Sequence, residues 1–296
     1  MSWYPLVYVP KDGTTWEQDW TNIIKPHIDA AYAKGGKPLI FMATWRWTSD
    51  LQGWSTTDPR ANWINTTFTN GNHNDWIDAF AAHFKSDGRE VWIRLFPEMN
   101  GDSGSDRPPY QPGYEGNTSA TFKAAWIYTV NRFRAQMSPN TNLKFMFDVG
   151  SWPSAGFWGT NPTTFASIYP GDAYVDQVGF EIYNFKVDQP LDYYDCLASY
   201  GMYTEICASI GSSVPIGISE CGTIIPSDGN AQRKADWIAQ ALNPYNLMRI
   251  YPRVSSVTLW DDQRLYLGNG KKLGFEETTA IRDATVTCLQ LYKNGY

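Results

Sequence analysis

The sequence predicts an α/β fold of the (β/α)8 TIM-barrel class. Three observations lead there. Short apolar runs alternate with segments of helical spacing along the chain, which implies a parallel sheet covered by helices. The runs are near-continuously apolar, as strands buried on both faces require. No G-x-G-x-x-G turn is present, and 296 residues with 43% hydrophobic and 18% charged side chains suit one large barrel core better than a doubly wound sheet.

Taken in order, the strand runs are "PLVYV", "KPLIFMATW", "EVWIRLFP", "NLKFMFDVG", "YVDQVGFEIY", "VPIGISE" and "VSSVTLW". Seven are legible, so either an N-terminal strand is cryptic or missing, or the barrel closes incompletely. Between them, "WEQDWTNIIKPHIDAAYAKGG" spaces its apolar residues three and four apart and ends at Gly35, a helix C-cap signal. "NDWIDAFAAHFKSDG" repeats the pattern, with Asn74 or Asp75 as the N-cap and Gly88 past its end. "SATFKAAWIYTVNRFRAQM", "PLDYYDCLASYGMYTEICASIG" and "GNAQRKADWIAQAL" continue the alternation. With no internal repeat, low-complexity tract or linker, residues 1–296 are expected to form a single catalytic domain. The Gly- and Pro-rich stretch from Gly101 to Asn117 is too long for a routine connection and reads as a functional loop.

Composition removes several partners. A net charge of -6 with no basic run offers nucleic acid no counter-charge, and no apolar run reaches the roughly 20 residues that span a bilayer. Cys196, Cys207, Cys221 and Cys288 form no C-x-x-C pair and have no His at ligand spacing, so no metal or other cofactor is expected, and disulfides are allowed without being required. Cys221 is expected to pack as a small hydrophobe. His27, His73 and His83 fall in helices or an exposed loop and are given no catalytic part. Asn65 and Asn117 occupy N-x-[ST] sequons. The opening "MSWYPLVYVP" has none of the three parts of a secretory signal.

In a (β/α)8 barrel the C-terminal strand ends build the active site. Here they carry acids and indoles: Trp45 and Trp47, Glu98, Asp148 and Trp152, Glu181 and Tyr183, Glu220, and Trp260. Flat rings suit the apolar faces of sugars. A cleft of carboxylates and indoles, without a Ser-His pair or a phosphate loop, points to glycoside chemistry. For that, one carboxylic acid protonates the leaving oxygen while a second attacks the anomeric carbon or activates water. Glu98 and Glu220 are the candidate pair.

Five segments in order, "RLFPEMNG", "FKAAWIYTVNRFR", "YPGDAYVDQVGFEIYN", "PIGISECG" and "SVTLWDD", resemble glycoside hydrolase family 26, known for β-mannanases, from about Glu90 to Asp262. The resemblance implies that Glu98 is the general acid/base and Glu220 the nucleophile of a retaining, endo-acting enzyme on a β-1,4-mannan. It further implies that Tyr183 hydrogen-bonds the nucleophile, that Trp260 is a platform under the sugar, and that Arg94 holds the nucleophile's charge. Asn100, Trp45, Trp47, Trp152 and Glu181 are the other substrate-binding candidates. The sequence departs from the family pattern at Pro97 and Arg46, where the family has His, and at Asp102 and Ser103, where it often has aromatic residues. Alternatives are the same chemistry on β-1,3/1,4-glucan or β-1,3-xylan, or a non-catalytic carbohydrate-binding barrel. A secreted monomer with a polysaccharide or oligosaccharide partner is expected.

Overall fold

A computed structural model describes residues 3–4, 8–9, 15–42, 65–100, 110–114, 116–150, 164–184, 197–226, 228–259 and 278–293. Trp45, Trp47, Trp152 and Trp260, together with Arg46, Asp102, Ser103 and Cys196, lie outside these residues. The chain divides into two compact units, Met1–Gly179 with Glu205–Val214, and Phe180–Thr204 with Pro215–Tyr296.

The first unit contains β1 (Trp3–Tyr4), β2 (Tyr8–Val9), β3 (Lys37–Met42), β4 (Val91–Leu95) and β5 (Leu143–Val149). Of the N-terminal run anticipated from sequence, "PLVYV", Tyr8 and Val9 form β2, while β1 lies before the run, and both strands pair in parallel with β3. β1 lies against Lys37 and Pro38, and β2 against Phe41 and Met42. They share one position in the sheet, beside β3. β3, β4 and β5 follow in chain order, all parallel.

The first helical segment opens on a capping box at Thr15 and runs through α1 (Trp16–Asp19), a π turn (Trp20–Ile24) and α2 (Lys25–Ala33). The widening has a cause. Pro26 has no N–H to give the preceding turn, and the Lys25 N–H reaches back to the Trp20 carbonyl. After α3 (Asn65–Thr69), α4 (Asn74–Asp87) ends on Gly88 in the left-handed region, at φ 75°, with its N–H donating to the Phe84 carbonyl at 3.0 Å. Its N-cap position is taken by His73 and not by Asn74 or Asp75, because the Asn74 side chain is accepting from the Tyr128 hydroxyl at 2.8 Å. His73 is buried, hydrogen-bonded to Thr67 Oγ1 and stacked on Phe68, so it does not lie in an exposed loop. α5 (Ser119–Met137) starts from a capping box at Thr118, and α6 (Phe165–Ile168) from one at Thr164.

The core of this unit is aromatic. Trp76 contacts Phe80 and Phe133, and Trp126 meets Phe147 edge to face at 4.9 Å, all of them buried. Burying each such ring stabilises the fold by about 1.5–3 kcal/mol, with edge-to-face pairing adding direction.

β6 (Gln177–Asn184) and α7 (Leu197–Ser209) straddle the boundary of the units. The second unit continues with β7 (Ile216–Thr223), α8 (Ala231–Leu242), α9 (Pro244–Ile250), β8 (Val254–Leu259) and α10 (Thr279–Lys293). α8 packs against α10, a terminal helix that the sequence reading did not include. β7 and β8 are parallel but irregular. Between Ile216 and Gly217 the β8 strand carries an extra residue, and between Ile218 and Cys221 the β7 strand does. No described helix is long and apolar enough to cross a membrane.

Candidate active site

In the first unit the site grows from the exit of β4. Leu95 ends the strand, and the Phe96 N–H crosses to the Met42 carbonyl at 3.1 Å. The chain then makes a tight turn in which Phe96 and Glu98 have φ of 46° and 49°. Non-glycine residues rarely enter this left-handed region, and when held there by their surroundings they concentrate at functional sites. The holding is visible. Phe96 is fully buried against Phe68 and Tyr110, at centroid distances of 4.8 and 5.1 Å. Phe96, Pro97, Met99 and Asn100 are all buried, and Glu98 alone is half-buried. The turn presents one carboxylate.

β5 supplies the counterpart. Asp148 is fully buried and forms an ion pair with the equally buried Arg94, and its Oδ2 also accepts from the Glu98 N–H at 3.4 Å. Burying a charge is tolerable only when it is paired, so the two are mutually dependent. Arg94 also lies over the Phe41 ring at 4.3 Å. Asn100 is stapled to Gly150: its Oδ1 accepts from the Gly150 N–H at 2.6 Å and its Nδ2 donates to the Gly150 carbonyl at 3.2 Å. A Cβ on Gly150 would come within 3.3 Å of Asn100 Oδ1, a contact tight enough to favour glycine there.

In the second unit the site is carried by β6 and β7. Tyr183 donates its hydroxyl to Glu220 Oε2 at 2.5 Å. Glu181 and Glu220 are each buried, as is Asn184, whose carbonyl accepts from the Thr223 hydroxyl at 3.1 Å. Glu220 falls between Ile218 and Cys221, where β7 carries its one extra residue, and such bulges re-aim side chains next to functional sites. The donated hydrogen bond favours the charged carboxylate. Cys221 is fully buried, and burial together with the neighbouring Glu220 pushes its thiol well above the usual range, so it stays neutral and unreactive.

Each unit therefore assembles its own group: Arg94, Glu98, Asn100 and Asp148 in one, Glu181, Tyr183 and Glu220 in the other. The chemistry on offer is that of acids. A half-buried carboxyl on a rigid turn can give or take a proton, and a carboxylate held by a phenol can attack or stabilise positive charge. Tyr110 was not singled out from the sequence, although it sits in the Gly- and Pro-rich loop that was. Its hydroxyl donates to the Pro97 carbonyl at 2.7 Å. Asn65 and Asn117 are buried and bonded to each other, the Asn65 N–H to Asn117 Oδ1 at 3.0 Å, so neither sequon is open to a glycan in the folded chain.

No protein-family model matches the chain. Endoglucanase H of Acetivibrio thermocellus is 31% identical over 233 residues, which is 77% of this chain and 22% of that protein. The chain thus spans about a fifth of the length of the curated relative it matches. Among solved structures, the catalytic domain of a GH26 endo-β-1,4-mannanase from Bacillus sp. JAMB-750 matches with a TM-score of 0.62 at 19% identity, over 95% of this chain and 72% of that one. A GH26 β-mannanase from Bacteroides ovatus matches with a TM-score of 0.59 at 18% identity, over 93% and 73% of the two chains.

Proposed function

We propose that this chain, which has the (β/α)8 fold of the glycoside hydrolase family 26 enzymes it resembles, is a retaining, endo-acting glycoside hydrolase on β-1,4-linked mannan. Glu98 is the general acid/base and Glu220 the nucleophile. Glu98 gives its proton to the glycosidic oxygen as the Glu220 carboxylate bonds to the anomeric carbon, and the leaving chain departs as an alcohol. Water then attacks the glycosyl ester, losing its proton to Glu98, and a sugar of unchanged anomeric configuration is released.

The observation that carries this reading is the Tyr183 hydroxyl on Glu220 at the end of a parallel strand, the pairing that the family motifs "GFEIYN" and "GISECG" imply. Tyr183 keeps the nucleophile charged and aimed. Arg94 and Asn100 serve from beneath, tying the β4 turn to Asp148 and Gly150. Trp260 is the platform under the sugar at the cleavage point, and Trp45, Trp47, Trp152 and Glu181 line the flanking subsites. The enzyme acts as a secreted monomer with a polysaccharide or oligosaccharide as its partner. A second reading, the same chemistry on β-1,3/1,4-glucan, is favoured by the 31% identity to a protein named as an endoglucanase.

The test is reducing-end release from mannan, glucomannan and mixed-linkage β-glucan. Cleavage of mannan or glucomannan supports the first reading, and cleavage of β-glucan alone supports the second. Glu98→Ala and Glu220→Ala should each cost about 10²-fold or more on the polymer. Silence on all three polymers overturns both readings.

A further inference from the structure

We propose that Tyr110 is a positioning residue for Glu98, acting through the peptide plane that joins Pro97 to Glu98. This rests on the reading of Glu98 as the acid/base. The plane is held at both ends. Its carbonyl accepts from the Tyr110 hydroxyl at 2.7 Å, and its N–H donates to Asp148 Oδ2 at 3.4 Å. The two dihedrals that flank it are ψ of Pro97 and φ of Glu98, and the latter is 49°. A residue with a Cβ leaves that region when it can, and the way out is a rotation of this plane.

Rotation is blocked by the chemistry at each end. A turned plane would aim its carbonyl oxygen at the Asp148 carboxylate, replacing the hydrogen bond there by a repulsion, and would take away the carbonyl to which the Tyr110 hydroxyl donates. Asp148 is fixed by Arg94. Tyr110 is fixed as well: it is fully buried, its ring lies 5.1 Å from that of Phe96, and its own carbonyl accepts from Asn65 Nδ2 at 3.2 Å. The Asn65 N–H is in turn held by Asn117 Oδ1. The far end of the Gly- and Pro-rich loop thus folds back beneath the turn that precedes it. Glu98 is the one residue from Phe96 to Asn100 left half-buried, so what the clamp sets is the direction of that carboxyl.

Tyr110→Phe removes the hydroxyl and keeps the ring, so the core is unchanged. The readout is kcat/KM, which reports cleavage to the glycosyl-enzyme, on whichever polymer the parent enzyme cleaves and on the matching 2,4-dinitrophenyl β-bioside. Dinitrophenolate leaves without being protonated, so a misplaced acid harms only the polymer reaction. The expected result is a loss of about tenfold or more on the polymer and of less than about twofold on the activated glycoside. Equal losses on both substrates, or no loss on the polymer, overturn the positioning role. Glu98→Ala, run alongside, should show the same split more strongly. If Glu98→Ala splits the substrates and Tyr110→Phe does not, only the role of Tyr110 falls. If Glu98→Ala fails to split them, the assignment of Glu98 as the acid falls, and the role of Tyr110 with it.

Discussion

Glu220 and its tyrosine are the simplest place to measure how much one contact contributes. A hydrogen bond to a charged group contributes about 1.5–3 kcal/mol to stability, so Tyr183→Phe should lower the melting temperature by several degrees, and should lower kcat/KM by about tenfold or more because the Glu220 carboxylate loses the group that holds it. Cys221, the next residue, makes a different statement. Its thiol is raised in the folded chain, so below the ordinary thiol range both states carry the proton and nothing is lost. As pH climbs past that range the unfolded chain ionises first, and stability falls. Cys221→Ala should flatten the decline in melting temperature between about pH 8 and 10, and Cys221 should resist iodoacetamide until the chain unfolds. Glu98 and Glu220 were visible as candidates in the sequence because an acid closing an apolar run is costly without a purpose. Tyr110 was not, since nothing local to "RPPYQPGY" says which ring turns back under the preceding turn. The Arg94–Asp148 pair was half legible. Both residues stand out as charges in apolar strands, but only the parallel register of β4 and β5 makes them neighbours.

Among the elements, α4 gives the cleanest test of a cap. Gly88 sits in the left-handed region, with nothing within 4 Å of an added Cβ, so Gly88→Ala should cost about 1 kcal/mol from backbone strain alone, read by urea denaturation. Beside it, Arg89 ties the end of α4 to α2 by bonding Asp87 and Asp29. The Arg89 hydrogen bond holds the Asp87 carboxyl below its usual range, and Lys25 followed by Arg89 do the same for Asp29. Carboxyls shifted down stabilise the fold above their ordinary range, and that contribution is lost as pH falls below the range and through the lowered value of the folded state. Arg89→Ala should therefore lower the melting temperature at pH 7, and the difference should shrink toward pH 3. Periodicity gave α4 and α5 their lengths because both have one continuous apolar face. It missed α10, where "ATVTC" places β-branched residues mid-helix, and there packing against α8 outweighs local preference. It also passed over the π turn, which Pro26 imposes and hydrophobic spacing does not register.

For the molecule as a whole, the stereochemical outcome is the broadest prediction. Retention requires the Glu98 and Glu220 carboxyls to stand about 5–5.5 Å apart, whereas inversion needs about 6.5–9.5 Å. Proton NMR of the first product should show the β-anomer, followed by slow mutarotation, and a first-formed α-anomer would reject the assignment of Glu220 as nucleophile. The parallel order of the strands was legible from buried apolar runs alone. The split of the chain through β6 and α7 was not, because no change of composition marks it. The β7–β8 ladder carries one more implication. β8 takes on a residue and β7 then takes on another, so that Leu259 again faces Cys221, five positions along each strand from Ile216 and Val254. The two irregularities cancel like a debt repaid. Whatever re-aims Glu220 stays confined to that short interval, and the loops beyond it can vary without inheriting a shifted frame.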